Sequence, residues 1–222
     1  MAEFMGKISG HLAGGGSTIP GNYILPRLIG NFTQRYPRVN ISIHVGDTQQ
    51  ILKDIADSRL DLGVVGAETD KNQLIQKKLL ADEMRLIVAA DHKWAGKSQV
   101  GLRTLLKEPF IMREPGSGTL KSLQKNLAAH QIGVKDFSVA AELGSTASVI
   151  EGIKHGIGIS ILSPVAVADE LEAGSLKALS IRGLDLTRNF YLTTHRDRTP
   201  SPLCRAFMEY LAEKFPENPG SE

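Results

Sequence analysis

The chain has 222 residues, 41% of them hydrophobic and 23% charged, with 26 basic and 24 acidic side chains and a net charge of +2. This is ordinary globular composition, enough for one large domain or two small ones, and the even charge balance argues against a broad nucleic-acid-binding face. A single cysteine, Cys204, excludes an internal disulfide and a cysteine-based metal site and suits a reducing compartment, and no apolar run approaches the roughly 20 residues of a membrane span.

Residues 1–5 lack the apolar core of a signal peptide and read as a cloning remnant ahead of a domain fragment. Residues 8–12 are a short apolar run with gaps, a first strand. The stretch Gly14-Gly15-Gly16-Ser17-Thr18 then reads as a flexible loop. After it, Leu25, Leu28, Ile29, Phe32 and Tyr36 recur at helical spacing. Residues 39–45 alternate apolar and polar, a half-buried strand. Ile51, Leu52, Ile55 and Leu60 resume a helical period, with Asp47 or Thr48 as its N-cap. Residues 61–66 are apolar on both faces, as in a buried parallel strand. The first third is therefore βαβαβ, a pattern that favours a parallel sheet with helices on both faces.

Strands at 74–80 and 84–90, joined through residues 81–83, come next, followed by a turn-rich piece at 91–96 and a short helix at 102–106. Residues 109–112 form a buried strand that delivers the loop Arg113-Glu114-Pro115-Gly116-Ser117-Gly118-Thr119. Leu120, Leu123, Leu127 and Ile132 mark the helix after it. A strand at 137–143 leads through Gly144-Ser145-Thr146 into a helix with Val149, Ile150 and Ile153 buried. Residues 156–162 read as a strand with glycines where backbones pack closely. A helix at 164–171 opens on proline, and strands at 176–179 and 188–194 follow. A closing helix at 202–215 turns Leu203, Phe207, Tyr210 and Leu211 inward, and residues 218–222 fray.

Four helix entrances carry hydroxyl groups: Ser17 and Thr18; Thr48, beside Gln49; Ser117 and Thr119, beside Arg113; and Ser145 with Thr146. Free N–H groups and the positive end of the helix dipole attract anions at such places. We read the four loops as facing one another across a cleft and holding a small anionic ligand. Helix capping is the ordinary alternative for each Ser and Thr. Arg113 offers a bidentate fork for a carboxylate or sulfate-like group; its alternative is a solvated or Glu114-paired surface charge. His195 reads as structural and Cys204 as a small core residue. No His-x-x-x-His spacing suggests a metal, and no cofactor is expected. Residues 116–122 lack the spacing of a phosphate loop, there is no Gly-x-Ser-x-Gly elbow, and no carboxylate pair stands out. The chain is read as a non-enzyme.

The order of elements and the loop chemistry resemble the C-terminal effector-binding domain of LysR-type transcriptional regulators, a type II periplasmic-binding-protein fold. The resemblance is carried by Gly16-Ser17-Thr18-Ile19-Pro20-Gly21-Asn22-Tyr23-Ile24-Leu25-Pro26, by Phe32 with Tyr36-Pro37-Arg38-Val39, by Gly46-Asp47-Thr48 and Leu60-Asp61-Leu62-Gly63, and by Gly152-Ile153-Lys154-His155-Gly156-Ile157-Gly158-Ile159. Ser17 and Thr18 match that family's first ligand loop, and the stretch around them looks most like the branch regulating sulfur assimilation or related oxyanion metabolism. The resemblance implies an α/β fold of two Rossmann-like subdomains, 6–82 plus 187–217 and 83–186, joined by two crossover strands around a central ligand cleft. It implies a cytoplasmic effector-sensing domain that controls transcription and meets DNA only through an N-terminal winged helix-turn-helix, which this chain lacks. It also implies a homodimer, a tetramer in full-length form, with the helix from Leu25 to Tyr36 as one edge unless that helix merely packs in the core. The alternative on the same fold is an extracytoplasmic solute-binding protein of a transporter.

Overall fold

The structure, a computed structural model, describes residues 8–216; the cloning remnant expected at 1–5 and the fraying tail at 218–222 lie outside the described residues. The described residues divide into two compact units, one running up to Ala81 and resuming at Asn189, the other Asp82–Arg188.

In the first unit β1 (Gly10–Ser17) runs without a loop into helix, through a π-turn over Pro20–Ile24 and into α1 (Leu25–Arg35). The glycines read above as a flexible loop therefore stand inside a strand. A Cβ on Gly15 would lie 2.7 Å from a Leu60 methyl carbon, and one on Gly16 2.5 Å from the Cα of Gly21. The glycines serve close approach rather than flexibility. β2 (Val39–Gly46), α2 (Thr48–Ala56), β3 (Leu62–Val65) and β4 (Leu74–Glu83) follow. The sheet takes the order β2-β1-β3-β11-β4, where β11 is Thr187–His195. β1 is parallel to both β2 and β3, while β11 joins β3 antiparallel. The sheet is mixed because its fourth strand returns from the far end of the sequence. β2 is an edge strand, which is why its alternation is only half-buried.

Ile51, Leu52 and Ile55 of α2 pack with Leu60, Val65 and Leu74. On α1, the Phe32 ring meets Phe207 edge-on at 5.0 Å and Tyr210 at 5.3 Å, joining it to the closing helix α7 (Pro202–Lys214). Cys204 of α7 is buried at 2% exposure. Burial pushes its thiol up to about 11, with the charge of Asp61 adding to the effect. Alkylation of the native chain near pH 8 is expected to run about 100-fold slower than for a free thiol, and to complete only in denaturant. Mass spectrometry of timed iodoacetamide reactions checks this.

The second unit continues with β5 (Arg85–Ala89), β6 (Gln99–Gly101), α3 (Leu102–Leu105), β7 (Phe110–Arg113), α4 (Gly118–Ala128), β8 (Val139–Leu143), α5 (Thr146–Lys154), β9 (Ser160–Leu162), α6 (Ala168–Glu172) and β10 (Leu176–Arg182). Its strands form a sheet of order β6-β10-β5-β9 and a parallel pair, β7-β8, linked by a bridge from Phe110 to Ile159. Leu86, Val88, Phe110, Leu123, Leu127 and Ile161 share one core; Ile111, Val149, Ile150 and Ile153 share a second.

Several boundaries differ from the sequence reading. The strand expected at 156–162 begins only at Ser160, because Gly156, at φ +74°, ends the preceding helix in the left-handed region. Residues 81–83, expected as a joint, belong to β4, and Asp82 is buried there. The helix after Thr119 stops at Ala128, and Ile132 packs on the core from beyond it. The helix expected at 164–171 opens as a 3-10 turn, Pro164–Val167. β10 runs on to Arg182. β6 is three residues long, too short to leave a periodic pattern.

Candidate functional site

In the first unit, parallel pairing sets Ser17 opposite Gly46. The carboxyl ends of β1 and β2 therefore finish together, the end of an open α/β sheet where ligands are bound. Ser17 is 5% exposed, Thr18 is half-buried and Gln49 is exposed. The cap of α2 is Asp47, whose Oδ1 accepts the Gln50 N–H at 2.8 Å. Thr48 is thus relieved of capping, and its hydroxyl, in a residue 3% exposed, has no hydrogen-bond partner among the described residues. Burying such a group unmatched costs about 1–3 kcal/mol, which calls for an explanation; a ligand acceptor is one. Thr48→Val removes the hydroxyl at nearly constant shape. It is expected to leave the ligand-free melting temperature unchanged or raise it by a few degrees, roughly 2–4 °C per kcal/mol, while weakening effector binding about tenfold or more. Scanning calorimetry and titration calorimetry on the same preparation check both halves.

In the second unit the parallel register sets Arg113 opposite Leu143, so β7 and β8 also finish together. Ser117 caps α4, accepting from the Leu120 N–H at 3.5 Å, and Ser145 caps α5, accepting from the Ser148 N–H at 3.1 Å. For these two serines the ordinary alternative holds. Neither Thr119 nor Thr146 is a cap. Arg113 forks onto Glu114, Nε to Oε2 and Nη2 to Oε1, both at 2.7 Å, and donates Nη1 to Thr146 Oγ1 at 2.9 Å. The Glu114 pairing is present, but Arg113 is only 2% exposed, so it is no surface charge. Arg113, Ser145 and Thr146 form one group at the β7–β8 end; Ser117 and Thr119 open the helix that follows β7.

Sequence reasoning missed three residues beside them. Arg188 donates Nε to Asp82 Oδ2 at 2.8 Å and Nη1 to Thr119 Oγ1 at 3.0 Å, and Ser163 donates to Asp82 Oδ1 at 2.7 Å. All are buried. Burial weakens the hold of Arg188 on its proton; the Asp82 carboxylate opposes this, and the Arg113 charge adds to it. One signal was legible: alternation along β11 puts Arg188 in phase with Phe190 and Leu192 on the buried face, and a charge in phase with a core face needs a partner.

The chemistry on offer is hydroxyl and guanidinium donation. Among the described residues no group of three or more His, Cys, Asp and Glu is placed to hold a metal ion, and no helix is long and apolar enough to cross a membrane. His195 holds a turn, its Nδ1 accepting the Asp197 N–H at 3.2 Å.

A mixed α/β fold with hydroxyl- and arginine-bearing helix entrances at its strand ends defines a small-molecule-binding protein of the periplasmic-binding-protein type. More narrowly, the chain belongs to the LysR substrate binding domain family, whose profile matches residues 6–216. Among curated relatives, the uncharacterized HTH-type transcriptional regulator YeiE of Escherichia coli (strain K12) is 33% identical over 194 residues, 87% of this chain and 64% of that protein. The HTH-type transcriptional activator CmpR of Synechocystis sp. is 30% identical over 191 residues, 86% of this chain and 62% of that protein. The chain thus spans less than two thirds of the length of either. The regulatory domain of Synechocystis PCC6803 CcmR, solved in complex with 2-PG, superimposes with a TM-score of 0.86 at 31% identity, covering 94% of this chain and 99% of that one. The cofactor-binding domain of the Cbl transcriptional regulator, at 20% identity and a TM-score of 0.82, shows the fold alone.

Proposed function

We propose that this chain is the effector-sensing part of a DNA-binding transcription regulator and that its effector is a small anion bearing a carboxylate, phosphate or similar oxyanion. The observation that carries this reading is the likeness, over nearly the whole of both chains, to a regulatory domain in complex with 2-PG. The donor chemistry supports it: Arg113 with Ser17, Thr18, Thr48, Thr119 and Thr146 provides donors, and anions are acceptors. The finer readings go with it. The whole protein is cytoplasmic, reaches DNA through a winged helix-turn-helix outside this chain, and acts as a homodimer or, at full length, a tetramer. The regulators among the relatives favour this over a transporter's solute-binding protein. Effector binding acts by favouring one of two conformations, to the extent that it binds that one more tightly.

The test is titration calorimetry against 2-PG, sulfate, thiosulfate, inorganic phosphate and a set of dicarboxylates. At least one is expected to bind. Ser17→Ala with Thr18→Ala in the first unit, and Thr146→Val in the second, are each expected to weaken it tenfold or so. Binding by none of these anions, or binding untouched by both sets of substitutions, sinks the reading.

A further inference from the structure

Resting on that reading, we propose that Arg188 is a positioning residue that fixes Thr119 as a hydrogen-bond donor, so that the second unit prefers a fully ionised anion oxygen to a protonated one. A guanidinium donates and never accepts. With Arg188 Nη1 3.0 Å from Thr119 Oγ1, the hydroxyl oxygen accepts and its own proton turns to another partner. Among the described residues that proton has no acceptor. Donation from a cation also polarises the O–H outward, which strengthens it as a donor. Arg188 is itself held, since Asp82 takes its Nε at 2.8 Å and Ser163 takes the other Asp82 oxygen at 2.7 Å.

A second observation concerns the space beside Thr119. Thr119 lines a cavity of about 10 Å³, together with Arg113 and Ser160 and apolar side chains of β7, α4 and β9. That is room for one water-sized group, the size of a single phosphate or carboxylate oxygen. Ser160 already spends its proton on the Ile111 carbonyl, at 2.8 Å. Thr119 is therefore the hydroxyl donor left there, beside an Arg113 guanidinium whose charge is paired with Glu114. Among apolar walls a matched hydrogen bond is strengthened and a mismatched one is costly. An ionised oxygen takes the Thr119 proton most strongly; a ligand hydroxyl accepts it less well, and its own proton is left with the remaining lone pairs of Thr119 or Ser160.

The experiment is titration of the chain with 2-PG, and in parallel with inorganic phosphate, at pH about 5 and about 7.5, on either side of the second ionisation of a phosphate monoester near 6. The wild-type chain is expected to bind several-fold more tightly at the higher pH. Thr119→Val is expected to lose about tenfold in affinity at the higher pH and to narrow that pH ratio. The double variant Asp82→Asn/Arg188→Gln keeps the pair neutral and, because an amide both donates and accepts, releases Thr119 from its imposed role. It is expected to narrow the ratio as Thr119→Val does, with circular dichroism showing an intact fold. A full pH ratio in the double variant, alongside a weakened Thr119→Val, overturns the role of Arg188. Full affinity in Thr119→Val overturns the contact and leaves anion sensing standing. No binding of either anion by the wild-type chain overturns the assignment of Thr119 to a phosphate oxygen, and anion sensing itself falls only if sulfate, thiosulfate and the dicarboxylates also fail to bind.

Discussion

Asp82→Ala is expected to lower stability by about 3–5 kcal/mol, the usual loss when one member of a buried ion pair is removed. At 2–4 °C per kcal/mol for a chain of this size, scanning calorimetry should record a fall in melting temperature of about 10 °C. The size follows from what is left behind. Arg188, 6% exposed, keeps its charge but loses the carboxylate at Nε, and Thr119 is a neutral substitute for only one of its nitrogens. Ser163 loses its acceptor as well. The pair also joins residues 106 positions apart, which are the first and last residues of the second unit, so the damage falls where that segment is closed. Asp82→Leu/Arg188→Met is expected to lie within about 1 kcal/mol of wild type, because a buried pair replaced as a pair leaves no stranded charge. A single variant as stable as the double one would show that water reaches the pair.

What could be read from the sequence was whatever survives as a local period. The alternation at 39–45 and the repeat of Ile51, Leu52 and Ile55 became β2 and α2. The spacing of Phe207, Tyr210 and Leu211 became the buried face of α7. What could not be read depends on neighbours distant in the chain. Asp82 and Arg188 carry no joint signal until the fold puts 2.8 Å between them. Asp47 and Thr48 are both good caps by composition; only geometry hands the Gln50 N–H to Asp47 and strips Thr48 of that role. Ser117 and Ser145 show the same limit from the other side. A serine ahead of a helix is the signature both of a cap and of an anion-binding loop, and the structure assigns these two their caps. Arg113 reads in the sequence as a charge beside a charge; its burial, which makes the pair part of the interior, comes from the β7–β8 pairing.

Gly16→Ala is the substitution that tests the glycine run, and it is expected to cost about 3 kcal/mol, the upper end of ordinary overpacking. The new methyl group would sit 2.5 Å from the Cα of Gly21, 2.6 Å from its nitrogen and 3.1 Å from a Leu25 methyl carbon. Two of those atoms are backbone, so no side-chain rotation relieves the clash. β1 cannot yield either, since Gly16 is paired with Val45 on one side and Val64 on the other. The helical stretch must move, carrying Thr18 with it and pulling on Ser17 at the end of β1, and effector affinity is expected to fall although no ligand-facing side chain has changed. Gly30→Ala is the control. Gly30 lies within α1 with nothing within 4 Å of the added carbon, and the change is expected to stabilise by about 0.5–1 kcal/mol through helix propensity. The same chemical change is thus expected to act with opposite signs fourteen residues apart, and thermal melts of both variants beside wild type decide it. If Gly16→Ala melts with Gly30→Ala, the close passage of β1 against its helix is wrong, and the flexible loop that the bare sequence suggested is the better description.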